Sequence, residues 1–320
     1  VAGVGTGVDT ASSAVRSLAQ VTVQVAPVNG LEIAYETFGD PHGRPLVMIM
    51  GLGTQMLAWP DQMCADLADR GHFVVRFDNR DVGLSTHLRD VRAPRVSDLL
   101  LRRRPPPYTI DNMADDTVGL ITALGLGSAH VVGASMGGFI AQTVAVRHPR
   151  AVRSLTLIMT STGSRRVGNP KPVLFSTLAR GRVVADRQAA QARAVETFRI
   201  IGSRGYAFDE EFLADVAGRS YDRAYDPGGY FRQLAAIAAQ PDRSKELRTV
   251  TAPALVIHGL HDPLVAPSGG LAAAKLLRHS RFVGFSGMGH DLPRALWPQF
   301  VDEISGHTWR AEAGTQQATA

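Results

Sequence analysis

A mostly parallel central sheet flanked by helices, an α/β fold with a helical segment inserted into it, is predicted by three observations. Strand and helix signals alternate from Leu46 to Met159, as parallel strands joined by crossover helices require. The alternation pauses from about Ser161 to Lys245, where helical patterns run without a buried strand. It resumes at Ala254, so the intervening stretch reads as a helical cap between two halves of one core. The expected organisation is a flexible leader over 1–20, a core over 21–160 and 246–308, the cap over 161–245, and a flexible tail over 309–320.

The elements follow in chain order. Val21–Val25 and Leu31–Phe38 read as an opening hairpin around Asn29-Gly30, a strong two-residue turn signal. Leu46–Met50 is all apolar, as suits a strand buried on both faces of a parallel sheet. Asp61–Asp69 is amphipathic and Phe73–Phe77 is the next strand. Ala129–Val132 is a short buried strand feeding a helix over Met136–His148. The cap includes helical patterns at Ala185–Gly202 and Phe208–Tyr225. Ala254–His258 and Arg281–Phe285 are the last strand signals.

Composition bounds the function. The 320 residues, 45% of them hydrophobic, suffice for a sizeable core. No run approaches the roughly 18 apolar residues of a membrane span, and the first twenty residues lack the basic start and apolar block of a secretory signal. A lone cysteine, Cys64, excludes an internal disulfide and fits a cytoplasmic location; its place in an amphipathic helix suggests packing. The net charge of +5 is uneven: residues 163–204 hold nine Lys or Arg against two acids. Arg89, Arg92, Arg95 and Arg102–Arg104 form a second basic group. These faces either are simply solvated or steer an anionic substrate. No module or interleaved aromatic pattern supports nucleic-acid binding, and no glycine fingerprint after a strand supports a dinucleotide. No cofactor and no metal are expected, and the chain is expected to be a monomer or homodimer.

The chemistry concentrates in three loops. Gly133-Ala134-Ser135-Met136-Gly137 follows a strand and opens a helix. So sharp a reversal brings backbone segments together, leaves no room for side chains at its flanks, and presents the Ser135 hydroxyl at a strained φ. A serine hydroxyl needs a base, and the base an orienting acid. Asp262 follows the strand ending at His258 and is the acid candidate; His290 lies in the glycine-punctuated loop after Phe285 and is the base candidate. His258, His261 and Asp291 are nearby rivals: the two histidines suit packing roles, and Asp291 adjoins His290 in sequence, which points the side chains apart. Oxyanion-hole donors are expected from the Met136 N–H and from Leu52 N–H in Gly51-Leu52-Gly53. Asp78–Ser85 reads as a structural loop. Phe175, Phe198, Tyr206, Phe231 and Trp59 either line a pocket or form local core.

Gly51-Leu52-Gly53, Asp78–Ser85, Gly133–Gly138, His258–Pro263 and Gly289-His290 together resemble the α/β-hydrolase superfamily over about residues 21–308. The chain looks most like its carboxylesterase branch, which includes bacterial lipase-like esterases and anthracycline methylesterases. That resemblance implies an α/β-hydrolase fold, a Ser135–Asp262–His290 triad, and an oxyanion hole from the Leu52 and Met136 amides. Many relatives carry a histidine before the oxyanion-loop glycine; here Met50 stands there. A serine at the elbow argues against the aspartate-dependent epoxide hydrolases and haloalkane dehalogenases of the superfamily. The expected activity is hydrolysis of a small, hydrophobic or anionic ester through an acyl-enzyme. Thioester cleavage, carbon–carbon bond hydrolysis, peroxyacid formation and slow-turnover ligand reception share these features.

Overall fold

The computed structural model describes residues 22–95, 98, 105–172, 174 and 183–319. The expected leader, Val21, Arg102–Arg104, Phe175, Arg180 and Arg182 lie outside the described residues.

Asn29 and Gly30 both adopt positive φ, 50° and 78°, which matches a two-residue hairpin turn to the twist of its strands. The turn sets Val28 opposite Leu31, pairing β1 (Gln24–Val28) antiparallel with β2 (Leu31–Phe38). The first strand therefore lies closer to the turn than the expected Val21–Val25, because a two-residue turn obliges pairing to begin at its flanks. Pro27 is tolerated because β1 is an edge strand. β2 runs antiparallel to β4 (His72–Phe77). The other pairings are parallel: β4 with β3 (Arg44–Ile49), then β3 with β5 (Ala129–Ala134), β6 (Val152–Ile158), β7 (Ala254–Gly259) and β8 (Ser280–Phe285) in succession. The sheet order is β1-β2-β4-β3-β5-β6-β7-β8.

The helices among the described residues are α1 (Asp61–Asp69), α2 (Ile110–Ala123), α3 (Met136–Arg147), α4 (Arg187–Ile201), α5 (Glu210–Arg223), α6 (Pro227–Ala239), α7 (Pro267–Leu276) and α8 (Trp297–Thr319). Strand alternation feeds two cores. Val131 of β5 belongs to one core together with Met113 and Leu120 of α2, Ile140 of α3 and Ala273 of α7. Its neighbour Val132 points to the other face, among Met63 and Leu67 of α1 and Phe300 and Ile304 of α8. Cys64 belongs to this second core, and burial pushes its thiol up to about 12, so it packs rather than reacts. Trp59 is fully buried there as well, so it is core and not pocket lining. No helix among the described residues is long and apolar enough to cross a membrane.

Past Trp309, where a tail is expected, α8 continues as helix to Thr319. Tertiary contacts hold the first residues of this stretch, Trp309 to Glu312. Ala311 is buried, the Arg44 guanidinium lies 4.3 Å from the Trp309 ring, and Glu312 meets His130 at 3.2 Å and Arg153 at 3.4 Å.

Three imidazoles are buried where α8 crosses this edge. His72 bonds Leu67 O and Thr308 Oγ1, both at 2.8 Å, and His130 bonds Ser154 Oγ at 2.8 Å. Burial lowers His72 and His307 to about 4 and His130 to about 3. Because these groups stay neutral when folded and protonate near pH 6.5 when unfolded, the unfolded chain binds more protons below that pH. Stability should therefore fall as pH drops from about 6.5, by up to about 4 kcal/mol per pH unit for three sites, until the folded values near 4 and 3 are reached. Chemical denaturation at pH 7, 6 and 5 measures this slope, and an unchanged midpoint would refute it.

Candidate active site

The elbow has the geometry its glycines predict. Ser135 sits at φ 55° and ψ −116°, between the last residue of β5 and the first of α3. A Cβ on Gly133 would lie 2.2 Å from Gly137 O, and one on Gly137 only 2.1 Å from Ile49 O. Strand, turn and helix are thus in backbone contact, and Gly137→Ala should cost about 3 kcal/mol or more, read as a lowered denaturation midpoint. The strained serine is held by its own backbone: Ser135 N–H donates to Ile158 O at 2.9 Å, and Ser135 O accepts from Gly138 N and from Thr160 Oγ1.

The parallel topology brings the loops after β7 and β8 to this same edge. His290 Nε2 lies 3.0 Å from Ser135 Oγ, and His290 Nδ1 lies 2.7 Å from Asp262 Oδ2. A carboxylate only accepts, so Nδ1 carries the proton and Nε2 faces the serine as acceptor. Asp262 Oδ1 in turn accepts from Leu264 N–H and Val265 N–H, both at 2.8 Å. Asp262 and His290 are 3% and 8% exposed, so little water competes for these bonds. Such a line of hydrogen bonds can draw the hydroxyl proton onto an imidazole and balance the resulting charge.

The three rivals make other hydrogen bonds, although His258 Nε2 also lies 3.7 Å from Asp262 Oδ2. His258 is fully buried, and its Nε2–H donates to Val265 O at 2.8 Å; burial lowers its pKa and keeps it neutral. It thereby holds the turn that presents two amides to Asp262. His261 is exposed and accepts from Gly287 N–H at 2.9 Å, tying the acid loop to the histidine loop. Asp291 accepts from Ser203 Oγ at 2.5 Å, with burial raising its pKa.

The loop after β3 lies against the serine. A Cβ on Gly51 would be 3.2 Å from Ser135 Cβ and 3.7 Å from its Oγ. Gly53 N–H is occupied, donating to Gln233 Oε1 of α6 at 2.7 Å, while Gln233 Nε2 donates to Arg80 O at 2.8 Å. One fully buried side chain of the inserted helices thus ties together the loops after β3 and β4. Nothing in the sequence around Gln233 signals this, because its two partners are more than 150 positions away.

Asp78–Ser85 is a structural loop, as its sequence suggests. Asp78 Oδ1 accepts from Met56 N–H at 2.7 Å, its Oδ2 accepts from Leu84 N–H at 3.0 Å, and Arg223 NH2 of α5 lies 3.1 Å away. Arg80 forks onto Asp116 of α2 at 2.6 and 2.7 Å. Asp81, His87 and Asp226 bring donor atoms within 4.8 Å of one another, yet a guanidinium takes the place a cation would fill. Arg232 bonds both oxygens of Asp81, at 2.9 and 2.8 Å, and Asp226 at 2.9 Å.

Between β6 and β7, α4–α6 are the inserted helices, with no strand among the described residues. Several of their cations are paired: Arg187 with Asp222, Arg199 with Glu210 and Arg219 with Asp215. Pairing of this kind reduces the field available to attract an anion. Phe198 and Phe231 are half-buried, and Tyr206 packs on the second core with its hydroxyl donating to Ser286 O.

This sheet order, with an elbow after the fifth strand and inserted helices after the sixth, defines the α/β hydrolases. The chain belongs to the alpha/beta hydrolase fold family, whose model matches residues 44–293. It is 29% identical over 295 residues to rhodomycin D methylesterase DauP of Streptomyces sp. (strain C5), covering 85% of this chain and 93% of the relative. Rhodomycin D methylesterase DnrP of Streptomyces peucetius is 28% identical over 296 residues, with the same two coverages. Among solved structures, the enol-lactonase from Burkholderia xenovorans LB400 superposes with a TM-score of 0.70 at 26% identity, over 89% of this chain and 99% of that one.

Proposed function

We propose that the chain is a carboxylic-ester hydrolase working through an acyl-enzyme. Ser135 Oγ attacks the acyl carbon, His290 Nε2 takes the hydroxyl proton, and Asp262 holds the imidazole tautomer and balances its charge. The Leu52 and Met136 amides receive the oxyanion. Met136 opens α3, where first-turn N–H groups lack intrahelical acceptors, and Gly53 N–H is taken by Gln233 and Thr54 N–H by Gly51 O, which supports Leu52 as the loop's donor. His290 returns its proton to the leaving alcohol, then activates water to release the acid.

The observation that carries this reading is the unbroken line from two backbone amides through Asp262 and His290 to a serine at positive φ. The named activity of the two rhodomycin D methylesterases supports esters as the substrate class and makes methyl esters the first alcohol part to try. The inserted helices, lying over the site as a cap, select the acyl part.

A fluorophosphonate followed by intact-protein mass spectrometry tests the nucleophile. One adduct on Ser135, together with hydrolysis of aryl and methyl esters, is the expected result. No adduct and no ester turnover would overturn the reading. Thioesters in the same panel report whether sulfur leaving groups are preferred.

A further inference from the structure

The backbone that carries His290 is bonded to the inserted helices at two consecutive amides. Gly289 N–H donates to Ser203 Oγ at 2.9 Å, and His290 N–H donates to Ile201 O at 2.7 Å. Two residues earlier in the loop, Gly287 O accepts from both Arg204 N–H and Gly205 N–H. The contact is backbone on backbone: a Cβ on Gly289 would lie 2.4 Å from Gly202 O, and one on Gly205 would lie 2.6 Å from Gly287 Cα. Ser203 closes the arrangement, since the hydroxyl that accepts from Gly289 donates to Asp291 Oδ1 at 2.5 Å. One hydroxyl therefore joins the residues on either side of the base, its single proton given to Asp291 and one lone pair taken by Gly289 N–H.

We infer that Ser203 is a positioning residue for His290, so that the segment Ile201–Gly205 at the end of α4 sets where the base stands. The inference deepens the hydrolase reading and rests on it for His290 being a base. Asp262 fixes the ring from the core side through Nδ1, while Ser203 fixes the main chain from the cap side. A Nε2 to Oγ distance of 3.0 Å depends on both. Loss of the Ser203 hydroxyl leaves Gly289 N–H without its acceptor and Asp291 with one donor fewer, so the loop can relax by the few tenths of an ångström that proton transfer does not tolerate.

The test compares Ser203→Ala and Ser203→Thr with the parent protein, using two readouts. Proton NMR follows the deshielded His290 Nδ1–H shared with Asp262, and aryl-ester kinetics separate kcat from KM. The expected result is broadening or loss of that resonance in Ser203→Ala, with kcat down about tenfold and KM within twofold; Ser203→Thr, which keeps a hydroxyl, restores both. A folded Ser203→Ala with the parent's resonance and kcat would overturn the inference. So would a folded Ser203→Thr as impaired as the alanine variant. If the parent turned over no ester while the resonance still followed the hydroxyl, the positioning role would stand and the hydrolase reading would fall.

Discussion

Ser135→Ala is expected to lower ester turnover on the order of a millionfold while leaving the fold intact, the scale seen when a nucleophile and its base act as one unit. The size follows from the surroundings of the missing atom. The Thr160 hydroxyl at the elbow is committed to Ser135 O at 2.9 Å. Cys64 is buried in the second core with its thiol pushed up to about 12. Neither can take over the attack. The backbone bonds of residue 135 to Ile158 and Gly138 do not involve the side chain, so thermal unfolding should change little. Single-turnover kinetics with an activated aryl ester check both halves, and turnover within tenfold of the parent would move the nucleophile elsewhere.

Asp262→Asn is expected to lower kcat by about ten-thousandfold with KM nearly unchanged, and the hydrogen bonds give the reason. Oδ1 faces two backbone N–H groups, so the amide oxygen must turn toward Leu264 and Val265. Its NH2 then faces His290 Nδ1, 2.7 Å from the present Oδ2 position. That donor forces Nδ1 to accept and places the proton on Nε2. The imidazole then meets Ser135 with a proton in place of a lone pair. Unchanged kcat would show that another group orients the imidazole, whereas a Tm loss without a kcat loss would make Asp262 purely structural.

Much of this was legible because it is local. Asn29-Gly30, the Gly133–Gly137 reversal, and the loops after two apolar strands each carry their signal within a few residues, and Ser135, Asp262 and His290 could be named from them. The strand order of a parallel sheet then brings those loops to one edge without further information. What escaped depends on distant partners. α8 continues past Trp309 because Glu312 meets His130 and Arg153, more than 150 positions away. Gln233 and Ser203 look like ordinary polar residues of a helical insertion until Gly53 and Gly289 are placed beside them. The basic stretch from 163 to 204 invited a steering role, yet Arg187 and Arg199 are matched by acids that lie outside it in sequence, Asp222 and Glu210.

The ion pairs that join α6 to the loop after β4 limit how the fold can be recombined. Arg232 is 3% exposed and spends its charge on Asp81, while Gln233 holds Gly53 and Arg80. A chimaera that imports another protein's insertion between Thr160 and Val250 would leave the Asp81 carboxylate buried without its guanidinium, a mismatch costing about 3–5 kcal/mol. The insertion and the Gly51–Ser85 region are therefore one heritable unit. Changing substrate range by exchange would require moving both, or retaining arginine and glutamine at positions 232 and 233 in any transplanted segment.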